Sequence, residues 1–278
     1  MSRVGIVTGA ARGIGAACAA RMVGTVDVLV LVDLDPTVVA DAATLLAGSG
    51  TRCEPVAADI SDPAAVASIA AVVGRHGRLH RMAHAAGISP TMATWDRMLA
   101  VDLVGTALLV DAVRPLVGEG AAVVCIASMA AQLIAPQADP AIDRIIDDPL
   151  APTLLDDYRA ALGPAAEDPG TAYSWAKRGV RRLAEREATA FGRAGARICS
   201  VSPGTIDTPM GLREFEHQPA MRQLESIAPL GRSGHAEEIA AAVDFLLSDQ
   251  AGFVTGTDLL VDGGVCAAIG QLGSPAPG

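Results

Sequence analysis

The feature that most constrains this chain is a series of short, continuously apolar runs set between longer Ala-rich segments with helical spacing. The runs lie at 3–8, 26–33, 51–56, 79–85, 121–127, 197–201 and 258–261, and the helical segments at 13–24, 36–47, 62–75, 94–117, 171–194 and 235–248. A strand with one face in water alternates apolar and polar residues, whereas these runs do not alternate, so helices must cover both faces of the sheet they form. Strand and helix in strict succession build parallel βαβ units. The sequence therefore predicts an α/β chain, one doubly wound, seven-stranded parallel sheet with helices on both faces, and 278 residues fit it as a single domain.

Charge narrows the partners. Asp and Glu number 31 against 21 Lys and Arg, a net charge of −10, so the overall field repels phosphate backbones and anionic lipid surfaces. Aromatic residues make up only 3% of the chain, too few for the stacking platforms that hold single strands. No nucleic-acid and no membrane role is expected. The stretch from Gly120 to Ala138 carries no charge but is broken by Ser128, Gln132, Pro136 and Gln137, and reads as a buried strand and loop rather than a span. Residues 1–7 show no basic segment followed by an apolar stretch and cleavage site, so no secretory signal is expected. Cys18, Cys53, Cys125, Cys199 and Cys266 are odd in number, widely spaced and without a CxxC pair, which suits buried thiols in a reducing, cytoplasmic setting. No metal centre is expected.

One segment breaks the rhythm. Between Gln132 and Asp168 lie eight acidic residues, five prolines and only two arginines, a length beyond an ordinary connection. It reads either as a solvated acidic insertion or as a lid or interface element.

After the first apolar run comes Thr8-Gly9-Ala10-Ala11-Arg12-Gly13-Ile14-Gly15, followed by a helical pattern. Glycines in a strand-to-helix turn let backbone N–H groups approach a pyrophosphate, whose charge the positive end of the helix favours, so the chain is read as a Rossmann fold. The spacing is GxxxGxG rather than GxGxxG. The second run ends in Asp33, placed to accept hydrogen bonds from an adenosine ribose and to repel a 2′-phosphate, while the next residue, Leu34, offers no cation. NAD is therefore expected rather than NADP. Arg12, inside the loop, is the one residue that could reach a 2′-phosphate and favour NADP.

A second constellation is Tyr173-Ser174-Trp175-Ala176-Lys177, where positions i and i+4 share a helix face. An ammonium beside a phenol is expected to lower the phenol pKa and let Tyr173 exchange a proton with a hydroxyl or carbonyl. A preceding run ends Ile126-Ala127-Ser128.

With these motifs in this order, the sequence resembles the short-chain dehydrogenase/reductase family, in its compact branch, from about Arg3 to Gly264. The quoted matches are TGxxxGIG at Thr8–Gly15, Asp33, Asp59-Ile60, Ser128, YxxxK at Tyr173 and Lys177, PGxxxTPM at Pro203–Met210, and Val261-Asp262-Gly263-Gly264. The resemblance implies hydride transfer between a nicotinamide and an alcohol/carbonyl pair, with Tyr173 as acid/base, Ser128 holding the substrate oxygen, and Lys177 serving both the tyrosine and the nicotinamide ribose. It also implies cofactor contacts from Gly9, Arg12, Gly13, Ile14, Gly15, Asp33, Leu34, Asp59, Ile60, Ala85, Ala86, Gly87, Val101, Tyr173, Lys177, Pro203, Gly204, Ile206 and Thr208.

The chain departs from the family pattern at two positions. His84-Ala85-Ala86-Gly87 stands where relatives have NNAG, so sheet stabilisation at that turn must come from elsewhere; His84 reads as a histidine hydrogen-bonded within the fold rather than as a catalyst. Asp102 replaces an asparagine whose task in relatives is to hold a water next to the lysine, and it is retained as a catalytic candidate. The long interval between Ser128 and Tyr173 is similar to that of bacterial 3α-hydroxysteroid dehydrogenase/carbonyl reductases, in which added chain alters the subunit contact, and implies a homodimer or homotetramer.

Residues 211–230 are expected to form a substrate lid, and the chain from about 270 a flexible tail. Leu212, Phe215, Met221, Leu224 and Ile227 either present an apolar face to a steroid-like or aliphatic substrate or only dock the lid. The leading expectation is an NAD-dependent oxidoreductase of an apolar secondary alcohol or ketone. The alternatives are an NADPH-linked carbonyl or ketoacyl reductase, and an NAD-sensing protein without turnover.

Overall fold

The computed structural model describes residues 2–48, 50–217 and 219–272. Seven parallel strands form one sheet: β1 Ser2–Thr8, β2 Val28–Asp33, β3 Arg52–Ala57, β4 Gly77–His84, β5 Val117–Ile126, β6 Arg197–Pro203 and, in last place along the chain, β9 Asp258–Val261. The order across the sheet is β3-β2-β1-β4-β5-β6-β9. A small second sheet pairs β7 Ile206–Asp207 with β8 Gly234–His235. All seven expected strands are present, displaced by a few residues at their ends.

Both sheet faces are covered, which is why the strands carry no polar alternation. Along β2, Val28, Val30 and Val32 point into one apolar cluster with Ile69, Val73 and Leu109. Leu29 and Leu31 point into the other with Met22, Ile239 and Val243. Burying each of these side chains is worth roughly 1.5–3 kcal/mol. The helices over the two faces include α1 Gly13–Met22, α2 Pro36–Leu45, α3 Pro63–His76, α9 Pro169–Arg193 and α12 Ala236–Leu247. Four helices start the same way, with Asp then Pro. Asp35 accepts from Thr37 N and Val38 N, Asp62 from Ala64 N, Asp139 from Ala141 N and Asp168 from Thr171 N, each with proline in the first turn.

The helix expected over 94–117 runs unbroken from Trp95 to Leu116 but changes its winding along the way. It resolves into α4 Trp95–Met98, a π-helical stretch at Leu99–Gly105, α5 Thr106–Val113 and a single 3-10 turn before β5 begins at Val117. The wide turn carries Asp102, and such turns are frequent at functional sites. Gly105 lets it pass close to the chain after β3, since a Cβ there would lie 3.0 Å from the Ile60 carbonyl oxygen.

The acidic segment folds as more than a solvated loop or an open lid: it is a helical cover for α9. After α6 Ala130–Leu133 the chain forms α7 Pro140–Asp147 and α8 Leu154–Leu162. Asp143 on α7 makes a two-pronged contact with Arg178 at 2.7 and 2.8 Å, and Asp147 pairs with Arg182 and Arg186. The three arginines are four residues apart along α9 and so form one stripe facing α7. Beneath the ion pairs, Ile142, Ile146 and Tyr158 pack on Leu99, Leu103, Trp175 and Ala176, and Tyr158 stacks on Trp95 with centroids 6.1 Å apart. Five of the eight acidic residues are thus caps (Asp139, Asp168) or arginine partners (Asp143, Asp147, Glu167), and Asp148, Asp156 and Asp157 are exposed.

The region expected to form a lid folds as α10 Pro209–His217 and α11 Pro219–Ile227, and Val265–Leu272 forms α13. The expected tail lies, from 273 on, outside the described residues. No helix among the described residues is long and apolar enough to cross a membrane. All five cysteines are free, with Cys18, Cys125 and Cys199 buried.

Candidate active site

The strand order reverses between β1 and β4, and in a doubly wound sheet the crevice beyond the carboxyl ends of those strands is where ligands bind. The glycine loop lies there. Gly9 has φ +63°, and a Cβ on it would sit 2.9 Å from the Ala86 N. The loop after β1 is therefore pressed against Ala85-Ala86 after β4, which explains the small residues on both. A Cβ on Gly15 would fall 2.0 Å from the Gly9 carbonyl oxygen. Among the described residues no side chain caps the N-terminus of α1, so its positive end faces the loop.

Asp33 closes the other side. Its carboxylate accepts from Ala11 N at 3.0 Å and from Leu34 N at 2.9 Å, one bond per oxygen, leaving acceptor capacity on both. Arg12 and Leu34 are exposed. Asp59 accepts from Ser61 N and Oγ and from Arg97 Nη2, the last at 2.6 Å. Burial works to raise its pKa, but the Ser61 and Arg97 bonds outweigh this and hold it below the usual carboxylate value. Ile60, next to it, is buried. From the far side Thr208 comes up against Gly13, where a Cβ would lie 3.3 Å from the threonine methyl, and its hydroxyl accepts from Gly211 N. Gly204 packs on Asp262, and Pro203 and Ile206 are buried. An uncapped helix end, a loop with no room for a Cβ and a carboxylate bonded to that loop with acceptor capacity left over fit an NAD(P) dinucleotide. Among the described residues no cluster of three or more His, Cys, Asp or Glu could hold a metal ion.

The residues of the second constellation meet at the ends of β4 and β5. Ser128 follows β5 and is buried, and its hydroxyl acts on the Tyr173 phenol of α9 in the direction that favours the phenolate. Lys177, one turn further along α9, is buried; its Nζ donates to the Ile126 carbonyl at 3.2 Å, lies 5.6 Å from the Tyr173 ring centroid and stands 3.7 Å from Asp102 Oδ1. Asp102 is fully buried, and its Oδ1 also accepts from Ile88 N at 2.9 Å, while its Oδ2 has no hydrogen-bond partner among the described residues. Gly87 makes this approach possible, because a Cβ there would lie 2.7 Å from Asp102 Oδ1 and 3.2 Å from Lys177 Nζ. Val101 precedes the carboxylate on the wide turn and is buried.

The electrostatics correct one expectation. The Tyr173 phenol is raised, not lowered: burial disfavours the phenolate, the Asp102 and Glu214 charges add to this, and the Ser128 hydrogen bond offsets only part. Lys177 is largely answered by Asp102. Burial likewise raises the Asp102 carboxyl, against the opposing pull of Lys177 and Ile88 N.

His84 is hydrogen-bonded within the fold, as expected, whereas Thr8, Thr106 and Glu214 gave no signal of their roles in the sequence. His84 is fully buried, with Nδ1 2.7 Å from Thr8 Oγ1 and Nε2 2.9 Å from Thr106 Oγ1, so the histidine itself ties β1, β4 and α5 together where an external support was expected. Thr8 Oγ1 in turn accepts from Ala86 N, and Thr106 donates to the Asp102 carbonyl. Burial pushes His84 down to about 3, and Lys177 adds to the effect, so the ring is neutral. Burial raises the Glu214 carboxyl on α10 to about 7, against the opposing effect of the Ser89 hydroxyl. The apolar residues of α11 face elsewhere: Leu224 and Ile227 pack on Met129, Val265 and Ile269, which is the docking reading of that face. Leu212 is exposed.

The sequence model of the family described as Enoyl-(Acyl carrier protein) reductase matches residues 9–142 and 160–266, and the unmatched interval falls within α7 and α8. The chain is 31% identical over 275 residues to the short-chain dehydrogenase/reductase bsc3 of Alternaria brassicicola, covering 98% of each chain. It is 31% identical over 272 residues to the D-threitol dehydrogenase of Mycolicibacterium smegmatis, covering 94% of this chain and 92% of that one. The crystal structure of levodione reductase superposes with a TM-score of 0.73 at 27% identity, over 96% of this chain and 98% of that one. On the glycine loop, the Ser128, Tyr173 and Lys177 constellation and these similarities together, the chain belongs to the short-chain dehydrogenase/reductase family, oxidoreductases that act on CH–OH groups with an NAD(P) nucleotide.

Proposed function

We propose that the chain is an NAD-dependent oxidoreductase of a secondary alcohol or the corresponding ketone. The observation that carries this reading is the buried Lys177 ammonium, 5.6 Å from the Tyr173 ring centroid and bonded to the Ile126 carbonyl two residues before Ser128, at the sheet edge that also holds the glycine loop. Ser128 holds the substrate oxygen, and Tyr173 Oη gives or takes the proton. Lys177 orients the tyrosine and the nicotinamide ribose, and Asp102 fixes the lysine. When bound, the nicotinamide supplies hydride transfer to or from the substrate carbon. Gly9, Gly13, Ile14 and Gly15 cradle the pyrophosphate. Asp33 and Leu34 meet the adenosine ribose, Asp59 and Ile60 the adenine, and Ala85, Ala86, Gly87 and Val101 line the floor. Pro203, Gly204, Ile206 and Thr208 orient the carboxamide, and α10 with α11 forms the lid.

NAD is favoured over NADP because the Asp33 carboxylate stands where a 2′-phosphate would fall. Arg12, exposed at the start of α1, supports the NADP alternative. Relatives named for D-threitol and for levodione support an alcohol/ketone pair. An apolar substrate draws less support, since Leu224 and Ile227 are engaged in docking. The reading includes a homodimer or homotetramer, and a reducing cytoplasm, the latter supported by five free cysteines.

The test is calorimetric titration of the purified chain with NAD and NADP, followed by absorbance in the reduced-nicotinamide band with a panel of secondary alcohols. Tighter NAD binding with turnover is the expected result. NADP preference moves the 2′ contact to Arg12, and NAD binding without turnover of any alcohol or ketone supports a sensor.

A further inference from the structure

The polar contacts at the nucleotide end run on past Asp33 to Arg97. Asp33 takes the Ala11 N–H of the glycine loop on its carboxylate at 3.0 Å and the Ala58 N–H on its carbonyl at 2.9 Å, so the chain leaving β3 lies directly beside it. The next residue is Asp59. Its Oδ1 accepts from Ser61 N at 2.9 Å and from Ser61 Oγ at 2.7 Å, and its Oδ2 accepts from Arg97 Nη2 at 2.6 Å. Arg97 Nη1 donates to Ser61 Oγ at 2.7 Å, so the arginine reaches from α4 to the chain after β3 and closes a ring of three side chains. A carboxylate has about four lone-pair sites, and with three of them filled Oδ2 keeps one. The guanidinium spends one N–H on Asp59 and one on Ser61 and keeps the rest of its planar fork. Both side chains stay partly open, Asp59 33% and Arg97 42% exposed. The ring thus offers a spare acceptor with spare donors fixed beside it.

We infer that Arg97 is a specificity-determining residue for the base of the cofactor: with Asp59 it reads a ring edge on which an amino group stands next to an unprotonated nitrogen, the edge of adenine, and refuses a 6-oxo purine. This rests on the nucleotide half of the oxidoreductase reading, which seats adenine at Asp59 and Ile60. The amino group donates to Asp59 Oδ2, and the ring nitrogen accepts from Arg97. Hypoxanthine has the same size and shape but turns the amino donor into a carbonyl acceptor, which leaves the carboxylate lone pair facing another acceptor. Ser61 is the positioning residue, since its hydroxyl bonds both Asp59 and Arg97 and sets one against the other. The fork is held by two bonds before any base arrives, so little freedom is lost on binding.

The experiment uses the full chain and two dinucleotides that differ only in the purine, NAD and nicotinamide hypoxanthine dinucleotide. Each is titrated calorimetrically into the native chain, Arg97→Met, Arg97→Lys and Ser61→Ala, and turnover with NAD is followed in parallel on a panel of secondary alcohols. A hydrogen bond to a carboxylate corresponds to a preference of roughly tenfold or more for NAD in the native chain. Arg97→Met keeps the stem and removes the donors, and should bring the ratio to within about threefold of unity. Arg97→Lys returns one charged donor and should recover part of the preference, and Ser61→Ala should reduce it in part. A purely structural arginine weakens both dinucleotides alike, so a ratio that survives Arg97→Met overturns the inference, as does equal affinity for the two in the native chain. Should Arg97→Met fail to fold, as read by its urea midpoint, an unchanged ratio in both Arg97→Lys and Ser61→Ala overturns it instead. Equal affinity together with turnover refutes the role of Arg97 and leaves the oxidoreductase reading standing. Adenine-selective binding lost on Arg97→Met, with no turnover of any alcohol, supports the role and counts against that reading. Binding of neither dinucleotide overturns both.

Discussion

Asp102 places a buried carboxylate where its charge opposes the phenolate that Tyr173 must form to accept a proton. Its charge is one of the causes of the raised phenol, and it stands 3.7 Å from the lysine that would otherwise lower it. Asp102→Asn keeps the shape and removes the charge, so the rise of alcohol oxidation with pH should move toward lower pH, read from a kcat–pH profile; an unmoved profile means that Asp102 does not act on the tyrosine. Tyr173→Phe should lower turnover by roughly 10²–10⁴-fold while NAD affinity by calorimetry stays close to native. His84 makes a separate prediction about stability. Its folded pKa is depressed from 6.5 to about 3, so the unfolded chain takes up a proton first as pH falls. The contribution is therefore fully present above pH 6.5 and is lost progressively down to about 3, on the order of 5 kcal/mol in all. Urea unfolding at about pH 7 and about pH 5 should show the native chain losing more stability than His84→Gln over that interval. An equal loss in both would place the acid sensitivity elsewhere.

At the scale of elements, the Asp–Arg stripe between α7 and α9 decides whether the acidic segment is structure or loop. Asp143 and Arg178 are mostly buried and meet through two parallel bonds, the geometry in which an ion pair contributes most. A double-mutant cycle with Asp143→Asn and Arg178→Met should give a coupling of about 1–2 kcal/mol by urea unfolding. A coupling near zero would mean that Ile142 and Ile146 alone hold α7 down. The stripe lies on the same helix as Tyr173 and Lys177, so α7 also stiffens the element that carries the chemistry. Much of this was readable. The Asp139-Pro140 and Asp168-Pro169 pairs are helix-start signals of the kind that open α2 and α3, and they mark the segment as helical. That Asp143 and Asp147 would face arginines 35 residues on was not readable, since nothing local pairs them.

At the scale of the whole molecule, α7 and α8 cover apolar surface that the sheet and its other helices leave bare. Leu99, Leu103, Trp175 and Ala176 are nearly fully buried beneath them. Replacing residues 140–162 by a short Gly-Ser link should therefore uncover an apolar patch and drive self-association, read as an increase in sedimentation coefficient with concentration. An unchanged sedimentation profile would mean that α9 is shielded by a partner subunit in any case. The same cover gathers Trp95, Tyr158 and Trp175, three of the four Trp and Tyr residues of the chain, and leaves Tyr173 as the one turned to chemistry.

The sequence by itself determined the sheet, because continuous apolar strands between helical segments have one way to bury both faces, and it determined the nucleotide end, because glycines crowd a turn for reasons written within eight residues. It also marked Ser128, Tyr173 and Lys177, the last two through their i, i+4 spacing. Tertiary structure alone decided their electrostatics. The phenol is raised by burial and then by the charges of Asp102, on a wide helical turn, and Glu214, on α10. His84 became a neutral strut because Thr8 and Thr106 close on its two nitrogens. Such effects depend on burial and on charges brought together from distant segments, and local spacing carries no record of either.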